Sequence, residues 1–222
     1  MSVSLPSGVL VSTPIDVPEL VGWRGKRLLD VTLSLVLLVL FLPVLLVAAI
    51  LVKASSSGPI LFRQQRIGLG GRPFLILKLR TMHTEAEHRL RRDPDLLAMY
   101  LNADFKIPKD LDPRVTRVGR FLRTTSIDEL PQLFNVLVGH MSLVGPRPVT
   151  EPEVALYEEH ARAYLAHRPG ITGLWQVSGR NEIMFPRRAA LDGEYAARCS
   201  PGLDLRVLLR TPATVISRRG AN

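Results

Sequence analysis

The chain has 222 residues, enough for one compact domain beside a membrane segment. Its 29 Lys and Arg outweigh 20 Asp and Glu, and the net charge of +9 favours anionic partners: phospholipid head groups, nucleotide phosphates or nucleic acid. A hydrophobic content of 46% is high for a basic nucleic-acid binder, and the single cysteine, Cys199, excludes an internal disulfide and fits a reducing compartment.

Residues 1–22 are rich in Ser, Pro and Val without a hydrophobic period and read as a mobile tail. Residues 23–54 read as a membrane-anchoring segment. Trp23-Arg24-Gly25-Lys26-Arg27 leads into Val31–Val52, a run of about 22 residues without a charge, long enough to cross the hydrocarbon core as a helix. The run exceeds the apolar stretch of a cleavable signal, and Val47-Ala48-Ala49 lies inside it rather than after it. Pro43, near its middle, removes a backbone donor and kinks a helix. Lys26 and Arg27 precede the run and Lys53, Arg63 and Arg66 follow it, which conflicts with a simple crossing under the positive-inside tendency. A helix broken at Pro43 that enters one leaflet and returns leaves both flanks on the cytosolic side. Transmembrane helices tolerate proline, so the residues alone leave a straight crossing open.

Residues 55–222 form the cytosolic part. Ser55-Ser56-Ser57-Gly58-Pro59 is turn chemistry, and Ile60-Leu61-Phe62 and Phe74-Leu75-Ile76-Leu77 are short strands joined through Gly68-Leu69-Gly70-Gly71. That glycine cluster precedes a strand and lacks a Gly-Lys-Ser/Thr ending, so it reads as a hairpin turn, not a phosphate loop. Residues 83–101 are charged and compatible with one amphipathic helix or two short ones. Lys78 and Arg80, flanking Leu79 at a strand end, read as solvent-facing charges. No His/Cys spacing suits zinc. Arg120–Arg123, Val144–Pro148, Arg168–Gly173 and Trp175–Asn181 are Gly-, Pro- or Arg-rich segments where a loop could hold a ligand. Leu203–Arg219 mixes Leu and Val with Arg around Pro212 and suits a membrane surface or packing on the domain. Trp175 reads as a core tryptophan.

The adjacent acids Asp128 and Glu129 stand out in this basic chain. A carboxylate can attack phosphorus, ligate Mg²⁺ together with substrate phosphates, or move a proton. The plainer reading is local: Asp128 caps the following helix with Pro131 in its first turn, or Ser126 and Glu129 make a capping box. Both can hold at once, because a helix N-terminus also favours phosphate. Arg147 between two prolines and Arg180 after Gly179 are candidates for a preorganised guanidinium fork on phosphate oxygens.

Five segments in series resemble one family. Lys26-Arg27-Leu28-Leu29-Asp30 before a proline-broken apolar run, Lys78-Leu79-Arg80-Thr81-Met82, Asp128–Leu137, Met141–Pro148, and Arg168–Gly173 with Gln176–Arg180 resemble the bacterial sugar transferases, the monotopic polyprenyl-phosphate phosphoglycosyl transferases. The resemblance covers roughly residues 24–219 and suits the minimal catalytic form, without the N-terminal multi-helix region of larger members. It implies an α+β, mainly helical fold: a re-entrant helix broken at Pro43, then a compact cytosolic domain with a small β-hairpin and amphipathic interfacial helices. It also implies transfer of a sugar-1-phosphate from a UDP-sugar to undecaprenyl phosphate, with release of UMP and a phosphosugar-aspartyl intermediate. Asp128 matches the nucleophile and Mg²⁺ contact and Glu129 its acidic partner. Lys78, Arg123, Arg147 and Arg180 match positions expected to bind phosphate or nucleotide. Expected partners are UDP-sugar, undecaprenyl phosphate and inner-membrane phospholipids, with no nucleic acid and a homo-oligomer left open. The expected place is the cytosolic face of the bacterial cytoplasmic membrane, in exopolysaccharide, capsule or glycoconjugate synthesis. Leu42 departs from the serine common before the family's proline. Leu174-Trp175-Gln176 resembles hexose-transferring members, the alternative being an N-acetylhexosamine-type donor. Two rivals remain: direct transfer with Asp128 and Glu129 only holding metal, and a membrane-tethered basic binding protein without catalysis. The latter would want a continuous basic face with exposed aromatics, whereas aromatic residues make up 6% of the chain.

Overall fold

A computed structural model describes residues 22–102, 107, 111–179 and 183–217. The expected tail, apart from Gly22, lies outside the described residues. In chain order the elements are α1 (Lys26–Ser55), β1 (Leu61–Ile67), β2 (Pro73–Leu79), α2 (Ala86–Arg92), α3 (Pro94–Asn102), α4 (Arg117–Thr125), α5 (Gln132–Leu137), β3 (Ser142–Val144), α6 (Glu151–Ala155), α7 (Ala161–Leu165), β4 (Gly170–Thr172), α8 (Leu174–Ser178), α9 (Arg187–Arg198) and α10 (Pro201–Ile216). Helix dominates, as expected.

α1 is assigned as one helix of 30 residues with Pro43 inside it, about 45 Å of rise. Its burial is confined to the two ends. Asp30 and Ser34 are buried near the start, Ala48 and Val52 near the end, and Val39, Leu40, Leu42, Pro43 and Val44 between them are exposed. Both ends are held by the same body. At the start, Lys26 donates to the Val144 carbonyl and pairs with Asp204, Arg27 donates to the Val136 and Leu137 carbonyls, and Asp30 accepts from the Leu143 N–H and the Ser142 hydroxyl. At the end, Ala48 and Val52 pack with Leu79 and Leu122, and Arg80 donates to the Ser56 carbonyl. An apolar helix with its middle bare is not a core helix of a soluble protein.

β1 and β2 form the expected hairpin, antiparallel from Leu61↔Leu79 to Ile67↔Pro73. α5 lies along the free edge of β2. There the Asn135 side chain accepts from the Leu77 N–H at 2.9 Å and donates to the Leu75 carbonyl at 2.8 Å, satisfying strand groups that would otherwise lack a partner. The main core joins Phe74 and Ile76 of β2, Leu133 and Val136 of α5, Met141 through Val144, Tyr195 and Val207, and Leu33, Leu37 and Leu38 of α1 pack onto it. Residues 83–101 resolve into the two short helices α2 and α3.

A second sheet was not foreseen. β3 and β4 pair in parallel, Ser142↔Gly170 and Val144↔Thr172, with α6 and α7 in the crossover. Gly145 and Gly170 meet backbone to backbone, and a Cβ on either would collide with the other's main chain, so neither tolerates a side chain. The carboxyl ends of these strands lead into the loop that carries Arg147 and, after Gly173, into α8 with Trp175.

Two local readings are corrected. Asp128 caps no helix and no Ser126/Glu129 capping box forms. Ser126 takes a left-handed conformation (φ 58°) that reverses the chain after α4, Ile127–Glu129 is a 3₁₀ turn, and α5 starts after Pro131 without a side-chain cap. Arg80 is buried rather than solvent-facing, because β2 stops at Leu79 and the chain then turns beneath the end of α1. Trp175 is buried, as expected.

Candidate active site

The 3₁₀ turn sets the two acids to different work. Successive residues on such a turn point about 120° apart. Glu129 reaches Lys78 at 2.7 Å, both side chains part-buried. Asp128 is 6% exposed. Burial pushes its carboxyl up from 3.8 to about 6; Lys78 pulls it back down, Glu129 adds to the rise, and Arg123 lowers it. Asp128 is thus ionised near neutral pH while largely stripped of water, within the electrostatic reach of two cations. Such a carboxylate is poised as a nucleophile or a metal ligand.

Arg123 is brought there by α4. Thr116 caps that helix by accepting from the Gly119 N–H at 2.8 Å, and Gly119 packs so closely on the Thr81 backbone that a Cβ has no room. The approach lets the Arg123 Nε–H donate to the Thr81 hydroxyl at 2.9 Å. Burial lowers the Arg123 guanidinium from its ordinary value, and Asp128 opposes that fall.

Glu129, next to Asp128 in the chain, lines a narrow cleft together with, among others, Arg66, Lys78, Gln132 and Arg147. Three of these are cations on three separate elements, a setting for a substrate carrying more than one phosphate. The Arg147 guanidinium lies 5.6 Å from the Trp175 ring centroid, with Arg188 at 5.1 Å from the same ring. Beneath the Arg147 loop, Asp192 is fully buried and accepts from the Tyr157 hydroxyl at 2.8 Å. Burial lifts Asp192 to about 7, against the opposing pull of Tyr157 and Arg147.

Of the expected site residues, Lys78, Arg123, Asp128 and Glu129 come together, and Arg147 reaches the same cleft from the β3 loop. Arg180 lies outside the described residues. Arg66 was overlooked as a site residue. It pairs with Glu153 at 3.0 Å and donates to Gln64 at 2.7 Å. Gln64 and Arg66 share the half-buried face of β1, opposite the exposed Arg63 and Gln65. Glu153 is itself fixed by accepting from the Thr150 N–H and hydroxyl, so Arg66 is held on one side and faces the cleft on the other.

Asp128 fits the Mg²⁺ pattern of one or two protein carboxylates completed by substrate phosphates. Among the described residues no group of three or more His, Cys, Asp or Glu could cage a metal without such a substrate.

A mainly helical fold with a small hairpin and one long apolar N-terminal helix agrees with the coarse outline that the resemblance to bacterial sugar transferases implies. The chain belongs to that family, whose sequence profile matches residues 21–218. It is 43% identical to the exopolysaccharide production protein ExoY of Rhizobium meliloti, covering 93% of this chain and 95% of that one. It is 44% identical to the UDP-glucose:undecaprenyl-phosphate glucose-1-phosphate transferase of Caulobacter vibrioides, covering 97% and 76%. With the undecaprenyl-phosphate galactose phosphotransferase of Salmonella typhimurium the identity is 40%, over 88% of this chain and 41% of that protein. The chain spans about two fifths of the length of several such larger relatives.

Proposed function

We propose that this chain transfers a hexose-1-phosphate from a UDP-hexose to undecaprenyl phosphate at the cytosolic face of the bacterial cytoplasmic membrane, in exopolysaccharide or related glycoconjugate synthesis. The observation that carries the reading is Asp128: a buried carboxylate under the influence of Lys78 and Arg123, whose neighbour Glu129 lines a cleft that presents Arg66 and Arg147. A hexose is favoured over an N-acetylhexosamine because relatives covering most of this chain are named for glucose or galactose transfer.

The reaction runs in two displacements. An oxygen of Asp128 attacks the β-phosphorus of the donor. The bond from that phosphorus to the bridging oxygen breaks, and UMP leaves with the electron pair, its charge met by the arginines. The hexose-1-phosphate is then held on Asp128 as an acyl phosphate. An oxygen of the lipid phosphate attacks the same phosphorus, the bond from that phosphorus to the Asp128 oxygen breaks, and Asp128 returns as a carboxylate. Lys78 keeps Asp128 ionised and Glu129 fixes the Lys78 ammonium. Mg²⁺, held by Asp128 together with the donor's phosphates, would neutralise charge on the transferring group.

α1 supports the membrane part of this reading. Both of its ends rest on one domain while the bare apolar middle around Pro43 faces away, so we read it as entering one leaflet and returning, with Lys26, Arg27 and Lys53 on the same side. Leu205, Leu209 and Ile216 form an exposed apolar stripe on α10, with Arg206 and Arg210 beside it, and suit the membrane surface.

The test is UMP release by detergent-purified protein from a panel of UDP-sugars with undecaprenyl phosphate and Mg²⁺. Release from UDP-glucose or UDP-galactose, lost in Asp128→Asn, is the expected result. Release from no donor by folded protein contradicts the reading.

A further inference from the structure

One buried group is left without work by this chemistry. Gln176 sits on α8, directly after the Trp175 that Arg147 covers. It is 8% exposed, yet neither its amide oxygen nor its amide nitrogen has a hydrogen-bond partner. Buried side-chain amides are nearly always satisfied, and an orphaned one calls for an explanation. A second observation places the amide. The amide oxygen lies against Gly173, where an added Cβ would come within 2.7 Å of it and would also strike the Gly145 carbonyl. Two glycine backbones and the amide therefore pack together where the chain leaves the carboxyl ends of the two parallel strands, the end beyond which open α/β sheets bind ligands. Gly170 and Ile171 of β4, just upstream, and Arg147, over the neighbouring indole, line the cleft that holds Lys78 and Glu129.

A primary amide presents an N–H donor and a carbonyl acceptor side by side in one plane. Its complement is a planar group with the same pair reversed. Within a nucleotide-sugar donor that group is the imide edge of uracil, an N–H next to a carbonyl. Hexose hydroxyls rotate and place no such demand on a fixed amide. We propose that the Gln176 side-chain amide reads the imide edge of the donor's uracil, an assignment that rests on the donor being a UDP-sugar. The amide, sealed from solvent in the ligand-free chain, is then paired only when the base is bound, and a site built this way rejects a base that cannot return both bonds.

The test uses the full chain in detergent and compares binding of UMP and of UMP methylated at N3 by calorimetry, in wild type and in Gln176→Met, which keeps the volume and loses both polar atoms. In wild type the methylated nucleotide should bind at least about tenfold more weakly, and in the variant UMP itself should weaken by a similar factor and the difference between the two nucleotides should vanish. Thermal stability of the ligand-free variant should stay level or rise, because an unpaired buried amide has been removed. A variant that melts lower and still distinguishes the two nucleotides overturns the proposal and makes Gln176 a structural amide. A rise in the KM for UDP-hexose with UMP affinity unchanged also overturns it, placing the amide on the sugar. If the variant does not fold, equal binding of both nucleotides to wild type sinks the idea alone. Because the readout is UMP binding, it is separate from the reaction: nucleotide discrimination by Gln176 without turnover would refute the proposed function and leave this inference standing.

Discussion

Replacing Asp128 by Asn should abolish transfer and, in metal-free buffer, make the protein more stable. The folded chain holds the Asp128 proton up to about pH 6, whereas an unfolded aspartate releases it near 3.8. Between those values the folded state binds more protons than the unfolded one, so this group's contribution to stability falls as pH rises through the window. Above it, the folded protein carries a buried charge that Lys78 and Arg123 compensate only in part. The difference corresponds to about 3 kcal/mol, which for a chain of this size is a Tm change of roughly 6–12 °C. Asparagine fills the same space without the charge. Asp128→Asn should therefore melt above wild type near pH 7.5 in EDTA, by up to that amount, and the gap should close as pH approaches 4. Scanning fluorimetry on detergent-purified protein across this range is the assay. A variant that melts lower at neutral pH, or a gap that does not change with pH, would show that Asp128 belongs to a stabilising ion pair and would refute the reasoning.

Four further outcomes follow from the same geometry. Lys78→Met removes the cation nearest in effect to Asp128, so kcat/KM should fall more at about pH 6.5 than at about pH 8.5 as the carboxylate's ionisation moves upward; a uniform loss across a pH–rate profile would contradict this. Arg66→Gln should raise the KM for the UDP-sugar roughly tenfold by removing a cleft cation, and steady-state kinetics at saturating lipid would show it. Asn135→Ala leaves the Leu77 N–H and the Leu75 carbonyl unpaired at the β2 edge and should cost about 2–4 kcal/mol, read as a lower Tm. With Cys199→Ser as background, single cysteines at Arg24→Cys and Ser57→Cys should both resist an impermeant maleimide in intact cells and both react in lysates; labelling of only one from outside would mean that α1 crosses the membrane.

Much of this was readable from the residues, for identifiable reasons. The hairpin announced itself through a glycine cluster between two apolar runs, and α1 through a long uncharged stretch. The β3/β4 pair did not, because three-residue strands carry no period and their pairing depends on Gly145 meeting Gly170 across an intervening crossover. The acids were picked out by type, but their division of labour was not visible. It depends on the left-handed turn at Ser126, which points Glu129 at Lys78 and buries Asp128. Arg80 and Asn135 escaped for a shared reason: each is a polar residue whose partner is main chain far away in sequence, at Ser56 and at Leu75 and Leu77. Long-range bonds of that kind leave no local pattern. The same is true of Arg66, whose partner Glu153 belongs to another element.

The central claim is that Asp128 carries the phosphosugar. Incubating the protein with UDP-hexose labelled in the sugar, in the absence of lipid, should put label on the protein together with release of UMP, and adding undecaprenyl phosphate should chase the label off; Asp128→Asn should take up none. Release of UMP only when lipid is present, with no label on the wild-type protein at any time, would contradict the account and favour direct transfer.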